Sequence, residues 1–130
     1  MKLKLVKNAE ILKDYLVDSG FGHFIPMYAT MQEFQRIYII TKNDQSIGFV
    51  ELHHLKGRPD LFIARDVFES VFNTEENQDE LAVEIIKKAK ELDANTITVN
   101  VPEEYINTLQ KHGFEPVQKI VTLRKEIKEE

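Results

Sequence analysis

The change of hydrophobic period in the second half of the chain limits its fold more than any other feature. LFIARDVFESVF (61–72) is an extended apolar run broken by Arg65, Asp66 and Glu69. ELAVEIIKKAKEL (80–92) then places Leu81, Ile85, Ala89 and Leu92 on one helical stripe, with Glu84, Lys87, Lys88, Lys90 and Glu91 on the other side. Asp93-Ala94-Asn95 ends the stripe, and TITVNV (96–101) returns to a buried strand. Strand, amphipathic helix and strand in that order predict a parallel, right-handed βαβ unit.

The flanking segments extend this frame. LKLV (3–6) alternates as a short strand, and NAEILKDYLVDSG puts Ile11, Leu12, Tyr15 and Leu16 on one helical face, with Gly20 as the stop. IPMYATMQEFQ predicts a second short helix with Pro26 near its start, before the β-branched run IYIITK. Asn43-Asp44-Gln45-Ser46 is turn chemistry, so IYIIT and SIGFVELHHL read as a hairpin with a four-residue connection; Lys56 to Asp60 is the next break. Further on, Pro102 opens a helix over EEYINTLQKHGF, and Gly113 fits a left-handed cap with Phe114 folding back. VQKIVTLRKEI (117–127) predicts the closing strand. The order β-α-α-β-β-β-α-β-α-β, with no repeat or low-complexity tract, describes one α/β (α+β) domain over residues 1–130 with a single mixed β-sheet.

Composition removes several functions. With 42% hydrophobic and 30% charged residues in 130, the chain is neither disordered nor membrane-spanning in character. The absence of cysteine excludes disulfides, thiolate metal sites and cysteine nucleophiles, and suits a reducing cytoplasm. MKLKLVKNAE lacks the apolar core of a signal peptide, so a cytoplasmic location is expected. A net charge of −5 repels polyanions and anionic lipid, which argues against nucleic acid and membrane as partners and mildly attracts amines. His53 and His54 are consecutive in a strand and face opposite sides, so no metal site is expected there, although the one facing a cleft could serve as a base. His112 suits the C-terminal end of its helix.

This element order, with a helix ending in QKHGFEPV and a last strand carrying TLRKE, resembles the C-terminal half of the GNAT superfamily of N-acetyltransferases. The matching features lie within residues 45 to 125, the helix-KxGFE-strand ending being the most specific. The resemblance implies an acyl-CoA N-acyltransferase-like fold in which DVFESVF and TITVNV splay apart and acetyl-CoA, as co-substrate, lies in the opening. It implies a small-molecule or peptide amine as acceptor, with a homodimer left open. By the same resemblance the backbone of Val71, Phe72 and Asn73 aligns the pantetheine, and the region of Thr74, Asn77 and Gln78 meets the pyrophosphate at a helix start, where free N–H groups and the dipole favour an anion.

Two departures cut against that implication. The family pattern Q/R-x-x-G-x-G/A is replaced by NTEENQDE (73–80), with no glycine or arginine and with Glu75, Glu76, Asp79 and Glu80. At about 5 Å, like charges repel by about 1 kcal/mol in water and about 3 kcal/mol at an effective dielectric of 20. Asn77 and Glu80 also have the spacing of a capping box, which would occupy the same amides. In the next helix Leu109 stands where many relatives carry a tyrosine that protonates the thiolate; Tyr105, one turn earlier on the same face, is the remaining acid candidate. A base is also needed to strip the acceptor ammonium, and Glu51 and Glu69 are strand carboxylates suited to it, or else paired with Arg65 or Lys119. FGHFIPMYATMQEF has the soft apolar side chains of an acceptor-pocket wall or of a core patch. Two functions therefore stand: an acetyl-CoA-dependent N-acetyltransferase acting on an amine, or a catalytically silent binding or dimerisation module of the same fold that has lost acetyl-CoA binding.

Overall fold

Asn43 and Asp44 both adopt left-handed backbone, φ 53° and 63°, the type I′ geometry whose twist suits a two-residue hairpin. They join β2 (Gln35–Lys42) to β3 (Gln45–His53). The connection is thus shorter than the predicted four residues: Gln45 and Ser46 already pair with Lys42 and Thr41, because Asn and Asp tolerate positive φ. β1 (Lys2–Leu5) lies antiparallel to β2, and β4 (Asp60–Phe68) antiparallel to β3. β5 (Thr96–Val99) is parallel to β4, as the βαβ pattern predicts. The five strands stand side by side in chain order. The computed structural model describes residues 1–101, 105–117 and 122–127.

Helices cover both faces of this mixed sheet, which is why IYII and GFVEL read as nearly unbroken apolar runs. On one side, α1 (Ala9–Asp18) and a 3₁₀ segment (Gly22–Tyr28) pack Leu12, Leu16 and Tyr28 on Ile37, Ile39 and Phe49. On the other, α2 (Glu75–Glu91) packs Leu81, Ile85 and Ala89 on Tyr38, Ile40, Val50, Leu52 and Ile63. Each fully buried Leu, Ile or Phe here contributes about 1.5–3 kcal/mol. A third helix, α3 (Ile106–Gln110), follows β5.

α1, α2 and α3 end in the same way. Gly20 (φ +82°), Asp93 (φ 57°) and Gly113 (φ +88°) sit in left-handed backbone, and the next residue's N–H reaches back to a carbonyl of the last turn: Phe21 to Leu16 at 2.7 Å, Ala94 to Ala89 at 2.9 Å, Phe114 to Leu109 at 3.3 Å. This is the Schellman closure, expected as a cap at Gly113 and only as a stop at Gly20.

Several boundaries differ from the sequence expectation. The second helix is a 3₁₀ segment ending at Tyr28, with no helix over residues 29–34; Pro26 supplies no N–H for an α-helical turn. The third long strand stops at Phe68, and Ser70–Phe72 forms a short 3₁₀ turn. α2 begins at Glu75, not near residue 80, because Thr74 in extended backbone accepts from the Asn77 N–H at 3.2 Å. Thr74 is therefore the cap, and the expected Asn77–Glu80 capping box is not formed. β5 ends at Val99, short of residue 101. Of the closing strand expected over 117–127, residues 118–121 lie outside the described residues; Thr122–Ile127 carry no strand pairing, and Leu123 and Ile127 are exposed. Residues 102–104, at the predicted helix start, also lie outside them. Among the described residues no helix is long and apolar enough to cross a membrane, and no group of three His, Asp or Glu side chains is arranged to hold a metal ion.

Candidate active site

The site begins with one extra residue in β4. Glu51 pairs with Arg65 while Leu52 pairs with Ile63, so Ala64 has no partner on β3. Such a bulge bends a strand and sharpens its twist. The last rung between β4 and β5, Ile63–Val99, lies immediately before it. Beyond that rung β4 continues along β3 as far as Phe68, paired with Gly48. The other edge of residues 64–68 has no strand partner among the described residues, and its peptide groups face an opening.

Gly48 makes this course of β4 possible. A Cβ at position 48 would meet the Val67 carbonyl oxygen at 2.2 Å, so only glycine lets the two backbones approach so closely.

The opening is a wedge of about 320 Å³ between β4, β5, α2 and α3. Ile63 and Phe68 of β4, Leu81 and Ile85 of α2, and Leu109 and Phe114 form its apolar walls. Asp66, Asn73, Gln78, Asn100, Tyr105 and Thr108 supply the polar groups. The expected splay is present, with its β4 side formed by residues 64–68 and not by the Ser70 segment. Asp66 is open to solvent on one side, yet burial by its surroundings raises its carboxyl above the ordinary range, against a smaller opposing backbone hydrogen bond. Among the described residues no Lys, Arg or His lines the wedge.

The acidic start of α2 faces basic side chains from other elements. Lys111 Nζ stands 2.5 Å from Glu75 Oε1, and His112 Nε2 stands 3.1 Å from Asp79 Oδ1. Lys42 Nζ lies 3.6 Å from Glu76 and 3.2 Å from Glu80. Hydrogen bonding to Glu80 raises the pKa of Lys42, and hydrogen bonding to Glu75 raises that of Lys111. These pairs are exposed enough to add little stability, but they offset the repulsion an incoming anion would meet. Among the described residues the Glu75 and Glu76 N–H groups have no protein acceptor, whereas the Asn77 N–H is taken by Thr74.

The sequence-predicted site residues divide between two faces. Asn73, Gln78 and Tyr105 line the wedge. Phe72 packs against the α2-side core, Val71 is 80% exposed, and Thr74 caps α2. Asn77 is buried and committed: its side chain donates to Phe72 O at 2.8 Å and accepts from Lys42 Nζ at 2.9 Å.

Glu69 and Glu51 belong to the α1 face. Glu69 follows β4, outside the strand, and accepts from the Tyr15 hydroxyl at 3.3 Å. Glu51 is 5% exposed. It accepts from the Tyr28 hydroxyl at 2.5 Å, from Gln35 Nε2 at 3.2 Å and from His53 Nε2. Arg65 Nη1 is 4.0 Å from Glu51 and donates to the Tyr28 hydroxyl at 3.0 Å. Burial alone would push the Glu51 carboxyl up; the hydrogen bonds from Tyr28, His53 and Gln35 outweigh it and hold the group below its usual value. Tyr28 is raised by burial and by that carboxylate. His54 braces a loop, with Nε2 on Arg58 O at 3.1 Å.

Sequence reasoning missed Asp66, Tyr28 and Gln35. Asp66 carried the same signal as Glu69, a charge inside an apolar strand. Tyr28 and Gln35 come from segments whose spacing says nothing of Glu51.

Sheet order, bulge and wedge together define the acyl-CoA N-acyltransferase-like fold, the GNAT-like fold. The chain is similar to an acetyltransferase of Trypanosoma brucei, at TM-score 0.71 and 13% identity over 95% of this chain and 99% of that one. It is also similar to glucosamine-6-phosphate N-acetyltransferase from Arabidopsis thaliana, at TM-score 0.63 and 12% identity over 96% and 97%. An aminoglycoside N-acetyltransferase in complex with CoA matches at TM-score 0.59 and 11% identity over 97% and 100%. No protein-family profile and no curated protein sequence matches the chain.

Proposed function

We propose that the chain is an acyl-coenzyme A dependent N-acyltransferase, with acetyl-CoA as donor and a small-molecule or peptide amine as acceptor. The parting of β4 from β5 at the Ala64 bulge carries this reading. Free strand peptides at 64–68 suit the two amides of a pantetheine arm, and the apolar walls suit its carbon chain. The Glu75 and Glu76 amides lie at the positive end of the α2 dipole, where a phosphate would be favoured. Asn73 and Gln78 flank that path, and Tyr105 brings a phenol into the wedge beside Leu109. Acetyl transfer is also the activity named for the proteins that share the fold.

A second reading, a silent module of the same fold, is favoured by Asp66 and the acidic turn, which put negative charge in and beside the wedge with no cation lining it among the described residues. A thermal melt with millimolar acetyl-CoA separates the two. A ligand bound to the native state alone at 100 times its Kd stabilises by about 2.7 kcal/mol, or roughly 10 °C for a chain of this length. That rise is the expected result. An unchanged midpoint with both acetyl-CoA and CoA would leave the silent module.

A further inference from the structure

The polar cluster on the α1 face has no role in holding a donor in the wedge, and it is built with more care than a structural ion pair needs. Glu51 brings a carboxylate into the core, where an unpaired charge is expensive. Both of its oxygens are taken: Oε1 by Tyr28, Oε2 by Gln35 and His53. With three hydrogen bonds accepted and only 5% exposure, this carboxylate serves its neighbours in the fold. It does fix a tautomer. Since Oε2 accepts, His53 Nε2 carries the hydrogen, and Nδ1 keeps its lone pair.

The ring plane is also fixed. Phe34 and Phe62 stand 5.1 Å and 6.1 Å from the imidazole, Phe34 edge-on and Phe62 tilted, and the side chain is 31% exposed. His53 pairs with Phe62 across β3 and β4, and Phe62 pairs with Thr98, one rung before the strands part. The imidazole therefore stands about one strand spacing, roughly 5 Å, to the side of β4 near the start of the gap. β4 alone thus separates the imidazole from the free edge that borders the wedge. Asp66 belongs to the wedge itself, beside the donor.

We infer that His53, positioned by Glu51, is the base that takes the proton from the acceptor's ammonium group, and that the acceptor is a primary amine whose apolar body lies against Phe34 and Phe62. The inference rests on the acyl-transfer reading. An N–H bond of the ammonium breaks and the proton joins His53 Nδ1. The freed lone pair attacks the thioester carbonyl, the C–S bond breaks, and a second N–H bond of the same nitrogen breaks as the amide forms, its proton ending on the departing sulfur. Glu51 balances the charge that appears on the imidazole and stays ionised throughout. In this inference it is a positioning residue, where the sequence suggested a base.

The test reads His53 directly, without turnover. Ring-nitrogen NMR of the four histidines is expected to show His53 as the Nε2–H tautomer with Nδ1 unprotonated; an Nδ1–H tautomer overturns the inference. In carbethoxylation by diethyl pyrocarbonate, mapped by mass spectrometry, Glu51→Gln is expected to slow His53 about tenfold, as a charge-assisted hydrogen bond is exchanged for a neutral one. His23, exposed and with no hydrogen bond to Glu51, serves as the internal reference and keeps its rate. Equal slowing of both histidines, or none, overturns the positioning role. The wild-type tautomer needs no variant to fold. His53→Gln is expected to retain the acetyl-CoA melting shift, so a wrong base and a wrong donor give different results.

Discussion

Replacing Gly48 by alanine tests whether the close approach of β3 to β4 sets the shape of the wedge. The added Cβ would lie 2.2 Å from Val67 O, 3.0 Å from Phe68 Cα and 3.1 Å from Val67 C. A carbon–oxygen contact needs about 3.3 Å, so the strands must separate by about 1 Å. The clashing atoms are backbone, and no rotamer relieves them. Gly48 is also held on both sides, by Ile40 of β2 and Phe68 of β4. Overpacking costs about 1–3 kcal/mol, and this arrangement puts the cost near 3 kcal/mol. At about 3–5 °C per kcal/mol for a chain of this length, the melting temperature should fall by about 9–15 °C. Because Val67 and Phe68 belong to the free edge of β4, the acetyl-CoA shift should shrink as well. Gly57→Ala is the control: nothing lies within 4 Å of its Cβ position, and its φ of +82° exacts left-handed strain alone, about 1 kcal/mol. Circular-dichroism melts decide the matter. A Gly48→Ala midpoint no lower than that of Gly57→Ala would refute the steric account.

Two further substitutions probe other parts of the same frame. Because burial raises the Asp66 carboxyl, the native state loses stability as pH rises through the folded pKa, and the loss vanishes below the ordinary value of 3.8, where both states are protonated. Asp66→Asn should therefore raise the melting temperature at pH 7 and leave it unchanged at pH 3; a drop at pH 7 would contradict the desolvation argument. Asp93→Gly removes the strain of a non-glycine residue at φ 57° and should gain about 0.5–1 kcal/mol in urea unfolding; a lower midpoint would show that the Asp93 side chain does something at the α2 exit that its backbone does not.

Periodicity carried much of the fold. The α2 stripe, the hairpin and the parallel strand pair follow from spacing alone, because a face buried on a sheet must be apolar at intervals the backbone dictates. The boundaries did not follow, since single hydrogen bonds set them: Thr74 moved the start of α2 back to Glu75, and Pro26 limited its segment to 3₁₀ turns. The wedge was inferred by likeness, and its position depends on the bulge at Ala64, a one-residue register shift that leaves no mark in composition. At the site, Glu51 was legible as a carboxylate in a strand, yet its meaning changed once Tyr28 and Gln35 arrived from elsewhere in the chain. Local pattern finds the unusual charge; only tertiary contacts say whether that charge is free to act.

The placement of the strands in chain order has a consequence for how this molecule opens. β2, β3 and β4 meet through short connections, and each added pairing rests on one already made, whereas β1 is set apart from β2 by α1 and the 3₁₀ segment. β5 joins only after the chain has passed through the whole of α2, and it is held to β4 by four parallel pairs. In the native ensemble the pairing of β5 with β4 should open before that of the β2–β4 meander, exchanging its amide hydrogens sooner. The cleft that would receive a coenzyme thus has one wall anchored in the meander and the other in a strand expected to exchange sooner, so a ligand spanning it would join two regions of unequal stability and slow the exchange of the weaker one most.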